Sequence, residues 1–131
     1  MQTRPLSPHL SVYRMYRYAL ATSIANRFTG VALSAGLLLL VYWLMAVAGG
    51  ARSYARATRV LSLPLAKLVY AALIVAFCYH LVAGLRHLVW DTGHALERAQ
   101  SQRSAWLVVA VSLVLMLVIA YRAWLTGTHA P

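Results

Sequence analysis

Acidic residues are almost missing from this sequence. Asp91 and Glu97 stand alone against twelve lysines and arginines, giving a formal charge of +10. In a soluble chain that imbalance would suggest nucleic acid. Here the arginines flank long apolar runs, so anionic membrane lipid is the expected partner and nucleic acid is not. Charge of either sign is scarce as well. Charged residues are 11% of the chain and apolar residues 62%, whereas soluble domains hold about 45–50% apolar residues. A soluble fold would have too little polar surface to cover itself. Cysteine occurs once, at Cys78, which excludes an internal disulfide. It lies in an apolar run, where a free thiol acts as a small hydrophobe. Internal repeats and low-complexity segments are absent. No signal peptide is expected, because the first apolar run begins only at Phe28 and exceeds a signal core of about 7–15 residues.

What is present is three uncharged apolar runs. They are Phe28 to Gly50, Leu68 to Leu85 and Ala105 to Tyr121. About 20 apolar residues cross about 30 Å of hydrocarbon. Backbone groups in lipid must be satisfied within the segment, so the runs are helices. Pro64 suits the first turn of the second helix, where its missing N–H costs nothing. Lys67 snorkels outward. Trp106, Tyr121 and Trp124 sit at the ends of the third run, as an aromatic belt would. The expected fold is all-α: one integral membrane domain over 1–131, with an N-terminal interfacial segment at 1–27. Its spans run over about 28–50, 64–90 and 104–124 by this length argument. Residues 51–63 carry Arg52, Arg56 and Arg59 at helical spacing, predicting an exposed helical extension. Gly93 marks the end of the second helix, and 94–103 reads as a polar loop. Arg4, Arg14, Arg17, Arg27, Arg86, Arg98 and Arg103 share one side. Arg52, Arg56, Arg59, Lys67 and Arg122 share the other. The excess on the first side favours a cytoplasmic N-terminus.

The second span holds the most informative residues. A helix turns about 100° per residue, so His80, Gly84, His87 and Asp91 fall in one stripe. His87 adjoins Arg86 at the interface, and His80 lies about 9 Å deeper than Arg86. An imidazole at that depth wants a metal, a partner or a proton path. Gly84 would let a flat macrocycle approach the backbone. The plainer reading is that His80 bonds a neighbouring helix and Gly84 is a packing notch. Both stand on spacing alone. A haem with two histidine ligands would need the second from another chain. The first and third spans hold no histidine, and His9, His94 and His129 lie outside the spans. Met45 falls near the opposite surface, and Met116 lies about 18 Å into the third run, deeper than His80.

Before the first run, Ser23, Arg27 and Gly30 share a face at i, i+4 and i+7. With three spans, this end lies on the same side as Arg86, His87 and Asp91. A hydroxyl, a fixed cation, an imidazole and a carboxylate are thus expected at one depth. Quinone reduction uses such groups: donors and a cation stabilise the anionic oxygen, and titratable groups deliver protons. The plainer reading makes Ser23 a helix cap and Arg27 a snorkelling cation.

Three stretches, in order, resemble the cytochrome b subunits of succinate dehydrogenase. Arg4-Pro5-Leu6-Ser7-Pro8-His9-Leu10, followed by Tyr13, resembles that family's N-terminal segment. Ser23-Ile24-Ala25-Asn26-Arg27-Phe28-Thr29-Gly30 resembles S-I-x-H-R-x-[ST]-G. The stretch from His80 to Asp91 resembles H-x-x-x-G-x-R-H-x-x-x-D. The resemblance covers nearly the whole chain. It implies a helical bundle shared with a second hydrophobic anchor subunit and a haem b between the two. His80 would be one axial ligand of its iron, and the companion would supply the other histidine. It implies that Ser23 and Arg27 line a ubiquinone site. Asn26, Arg27, His87 and Asp91 would form the polar surround of the haem propionates. The N-terminal segment would meet an iron–sulfur subunit, and succinate would be oxidised on a flavoprotein subunit. The family usually has histidine at Asn26; asparagine still donates a hydrogen bond but carries no charge. The implied place is a bacterial cytoplasmic membrane, since no transit peptide precedes the first motif. A fumarate reductase anchor and a haem-free structural anchor are the rival readings.

Overall fold

The structure, a computed structural model, describes residues 17–128. The N-terminal motif from Arg4 to Tyr13, with its expected contact to an iron–sulfur subunit, lies outside the described residues, as does His129. The chain forms four helices: α1 (Arg17–Ala48), α2 (Ala51–Leu61), α3 (Pro64–Asp91) and α4 (Arg98–Thr128). Among the described residues there is no strand. Leu20–Ala48, Pro64–Asp91 and Arg98–Leu125 are long and apolar enough to cross a membrane. The protein is a multi-pass, all-α membrane chain, as its apolar runs predict.

The helix boundaries follow from a few residues. Nothing between Arg17 and Arg27 breaks a helix, so these residues are the first turns of α1 rather than a separate interfacial segment. At the far end, the Gly49 N–H donates to Met45 O at 2.9 Å, and Gly50 has φ +81°. Glycine alone adopts that conformation without strain, and it turns the chain sharply into α2. The expected extension is therefore a separate helix. Ala57 on its inner side is buried at 1% exposure, while Arg52, Arg56 and Arg59 are exposed. Leu63 is extended, as a residue before proline must be, and Pro64 opens α3. Gly93, at φ +81°, closes α3 with its N–H on Trp90 O at 2.8 Å. The loop that follows is shorter than expected, because residues 98–103 contain no breaker and already belong to α4.

α3 lies between α1 and α4 and packs on both. Its contact residues are small. Ala76, Cys78 and Ala83 are buried on α3, against Ala105, Val108 and Ser112 on α4. Small side chains let helices approach closely where lipid offers no hydrophobic drive. The Ser112 hydroxyl donates to Cys78 O at 3.4 Å. Cys78 is a buried free thiol, acting as the small hydrophobe its position predicts. Large side chains instead face outward: Leu38, Val31 and Phe28 are 70–72% exposed. In water such a surface would aggregate; here it meets lipid or partner chains.

One polar group binds the three spans together. Arg86 is only 7% exposed. Its Nε donates to Ser104 Oγ at 2.9 Å, and Nη2 donates to Ser101 O at 2.9 Å and Ser101 Oγ at 3.3 Å. Nη1 donates to Thr22 Oγ1 at 3.3 Å. The guanidinium carbon also lies 4.0 Å over the Trp90 ring. None of these partners is a carboxylate. The cation is solvated by neutral oxygens and a π face, which replace water's dipoles. Arg86→Met removes these bonds and leaves the oxygens on α1 and α4 unmatched. It should cost about 2–4 kcal/mol of stability, read as a lower Tm of the purified complex. Arg86→Lys should recover only part, because an ammonium cannot fork to two helices. An unchanged Tm in Arg86→Met would show that apolar packing alone holds the bundle.

Candidate functional site

His80 is half-buried where α3 crosses α1. Its Nδ1 lies 3.1 Å from the backbone oxygen of Asn26 and 3.2 Å from Thr29 Oγ1. A carbonyl oxygen only accepts, so Nδ1 carries the proton and donates. The Thr29 hydroxyl has its own acceptors, Ala25 O and Asn26 O, both at 2.9 Å. With Nδ1 protonated, Nε2 keeps its lone pair. This is the state in which imidazole binds a metal, and a carbonyl on the other nitrogen is the usual support. Gly30 completes the seat: a Cβ there would lie 3.0 Å from His80 Cε1. The plain half of the sequence reading is thus met, since His80 does bond a neighbouring helix. That bond leaves the second nitrogen available.

His80 also lines an open groove of about 590 Å³ between α1 and α3, with Gly30, Ser34, Leu37, Leu73 and Phe77. One turn toward the surface, a Cβ on Gly84 would have nothing within 4 Å. Gly84 is therefore no packing notch inside this chain. It leaves open space beside the imidazole, while Gly30 is the residue that lets the ring close on a helix.

On α1, helical geometry sets Ser23, Arg27, Gly30 and Ser34 along one edge, and Gly30 and Ser34 line the groove. Arg27 is exposed, about 4.5 Å along the axis from Gly30. It sits over a shallow hollow with Ile24, Phe28 and Val31. Ser23 is half-buried. Asn26 is turned further inward, and its side-chain Oδ1 is buried without a hydrogen-bond partner. On α3, His87 Nδ1 donates to Ala83 O of its own helix at 2.7 Å, and the ring meets Trp90 edge-on at 5.2 Å. Asp91 is exposed at the last residue of α3. No hydrogen bond among the described residues joins Ser23 or Arg27 to His87 or Asp91. They flank the groove from two helices rather than forming one contact cluster.

These elements match a known family. The family model described as succinate dehydrogenase/fumarate reductase transmembrane subunit matches residues 1–119. The chain belongs to this family. It is 43% identical over 115 residues to the succinate dehydrogenase cytochrome b556 subunit of Paracoccus denitrificans, covering 88% of each chain. The cytochrome b556 subunit of Rickettsia typhi is 34% identical over 116 residues, covering 88% of this chain and 90% of the relative. The mitochondrial cytochrome b560 subunit of Homo sapiens is 35% identical over 119 residues, covering 89% of this chain and 70% of the relative. The resemblance read from three motifs holds. This protein is a membrane anchor subunit of a succinate dehydrogenase, an oxidoreductase complex.

Within this anchor subunit, the sequence reading passed over three groups. Thr29 and Gly30 were visible only as letters of a motif, and Arg86 only as the cation ending a span. Tyr79 was not singled out, yet its hydroxyl donates to Thr22 O at 3.1 Å, beside the Arg86 contact. The available signal was periodicity: Thr22, Asn26, Thr29 and Gly36 repeat on one α1 face. Gly30→Val puts atoms where the imidazole sits. It should cost about 1–3 kcal/mol by overpacking, seen as an earlier thermal unfolding of the complex by circular dichroism. If Gly30→Val unfolds like wild type, the close contact with His80 is wrong.

Proposed function

We propose that this chain binds haem b through His80 and forms part of the site where ubiquinone is reduced, with Ser23 and Arg27 as substrate contacts. The observation that carries the haem reading is the Nδ1 bond to Asn26 O. It leaves a neutral imidazole nitrogen beside an open groove and an uncovered glycine. These residues fit a flat macrocycle: one nitrogen donor, apolar walls from Leu37, Leu73 and Phe77, and a cation, Arg27, toward the surface for propionate charge. The relatives are named cytochrome b556 and b560 subunits, which supports the same group. When bound, haem supplies a one-electron redox centre whose potential the protein tunes through ligand and burial.

The second axial histidine comes from a companion anchor subunit. His87 is turned to its own helix, and His94 Nδ1 pairs with Thr92 in the loop. The groove's open side is where that companion packs. Electrons reach the quinone from an iron–sulfur subunit, after succinate is oxidised on a flavoprotein subunit. Arg27 holds a permanent positive charge near the quinone oxygen that gains electron density. The Ser23 hydroxyl donates a hydrogen bond to the carbonyl. His87 and Asp91 relay protons inward from water, two being taken up with two electrons to give the quinol. Asn26, where the family usually has histidine, supports His80 through its backbone and adds no charge. The N-terminal side faces the cytoplasm of a bacterial membrane, following the larger number of arginines there.

Reduced-minus-oxidised spectra of the complex carrying His80→Ala should lose the b-type absorption of wild type. Retention of a normal spectrum would remove His80 as ligand. Ser23→Ala and Arg27→Ala should keep that spectrum and keep succinate oxidation by an artificial dye acceptor. They should lower succinate–ubiquinone activity, by on the order of 10²-fold for Arg27→Ala. Full quinone activity in both would place the substrate elsewhere.

A further inference from the structure

The second observation of note lies at the opposite end of the molecule, away from the haem and quinone reading and independent of it. The chain holds no acidic residue between Arg27 and Asp91. Yet α2 carries Arg52, Arg56 and Arg59, spaced i, i+4 and i+7, in one exposed stripe. Their side chains make no hydrogen bond or ion pair among the described residues. The inner side of α2 rests on the bundle through Ala57. Such a helix lies in the interface plane, apolar side to the membrane and cations to the headgroups.

Arg56 differs from its neighbours. It rims a hollow of about 360 Å³ between the end of α1 and α2, lined also by Ser53, Tyr42, Met45 and Ala46. Ser53 is half-buried there because Gly49 has no side chain. A Cβ on Gly49 would meet Ser53 Cβ and Oγ at 3.0 Å. The hollow therefore has a cation and a hydroxyl at its rim and an apolar floor. Below it α1 continues as an outward ridge of Met45 and Leu38, 68% and 72% exposed. They are seven residues apart, about 10 Å along the axis and within one leaflet of about 15 Å.

We propose that this is a binding site for one anionic glycerophospholipid. Its phosphate sits on Arg56 and Ser53, Arg52 and Arg59 flank the headgroup, and one acyl chain lies on Met45 and Leu38. Charge complementarity selects the anion, since no carboxylate at this end competes for the arginines. The ridge beneath selects a tailed ligand over a free phosphate. A bound anion also accounts for a basic helix on the side of the chain that carries fewer cations.

The test is lipid retention by the intact purified complex. Complex exchanged into micelles doped with phosphatidylglycerol or phosphatidylcholine is washed, and bound phospholipid is counted by mass spectrometry. Wild type should retain phosphatidylglycerol well above phosphatidylcholine. Arg56→Gln should lower retention about fivefold, from the typical contribution of one arginine near anionic lipid. Arg56→Lys should retain most of it, and the triple variant R52Q/R56Q/R59Q should lose nearly all. Equal retention of the two lipids by wild type would overturn the proposal. So would competition by glycerol phosphate at the same concentration as phosphatidylglycerol, since the tails would then contribute nothing. Undiminished retention in the triple variant, or loss of a polypeptide subunit in place of lipid, would assign the stripe to another role. If the triple variant does not assemble, Arg56→Gln and the wild-type lipid preference decide.

Discussion

A cation buried without an anion is the constraint on which this bundle rests. Arg86 gives its hydrogen bonds to Ser101 and Ser104 on α4 and Thr22 on α1, and its flat face to Trp90. A guanidinium removed from water must have its donors met, or the cost is several kcal/mol. Only one register of three helices meets them all. His80 lies six residues before Arg86 on the same helix, about 9 Å along the axis. The register that satisfies the arginine therefore also sets the imidazole against Asn26 and Thr29.

The packing around that register is thin. Contacts between α3 and α4 are made by alanines, a cysteine and a serine, and α1 meets α3 through glycines. Leucines, valines and phenylalanines point away from the chain's own core. In lipid this arrangement costs little, because hydrocarbon solvates an outward leucine as well as an inward one. It also means that the chain is not a finished bundle. The groove beside His80 has two walls from this subunit and an open side, as expected of a subunit in a larger assembly.

The site is prepared accordingly. α1 contributes a carbonyl and a hydroxyl that hold the imidazole in one tautomer, and a glycine that lets it come close. α3 contributes the imidazole and, at Gly84, empty space. The unpartnered Oδ1 of Asn26 shows the same incompleteness on a smaller scale. A buried acceptor costs free energy until a donor reaches it, so this edge of the groove is unfinished within the isolated chain.

Much of this was legible in the sequence, for definable reasons. Long uncharged runs can only be helices in lipid. Pro64 and Gly93 bound α3 because one suits a helix start and the other a left-handed residue after its end. The order of three motifs identified the family, and the stripe of His80, Gly84, His87 and Asp91 follows from 3.6 residues per turn. Helical period relates residues within one helix, but not the rotation of one helix against another. Which face of α1 met His80, and so Gly30 rather than Gly84 as its seat, was therefore decided by packing. So were the proton on Nδ1 and the role of Arg86, whose partners lie 15 to 64 residues away in the chain. Those depend on contacts between helices, and only the tertiary structure supplies them.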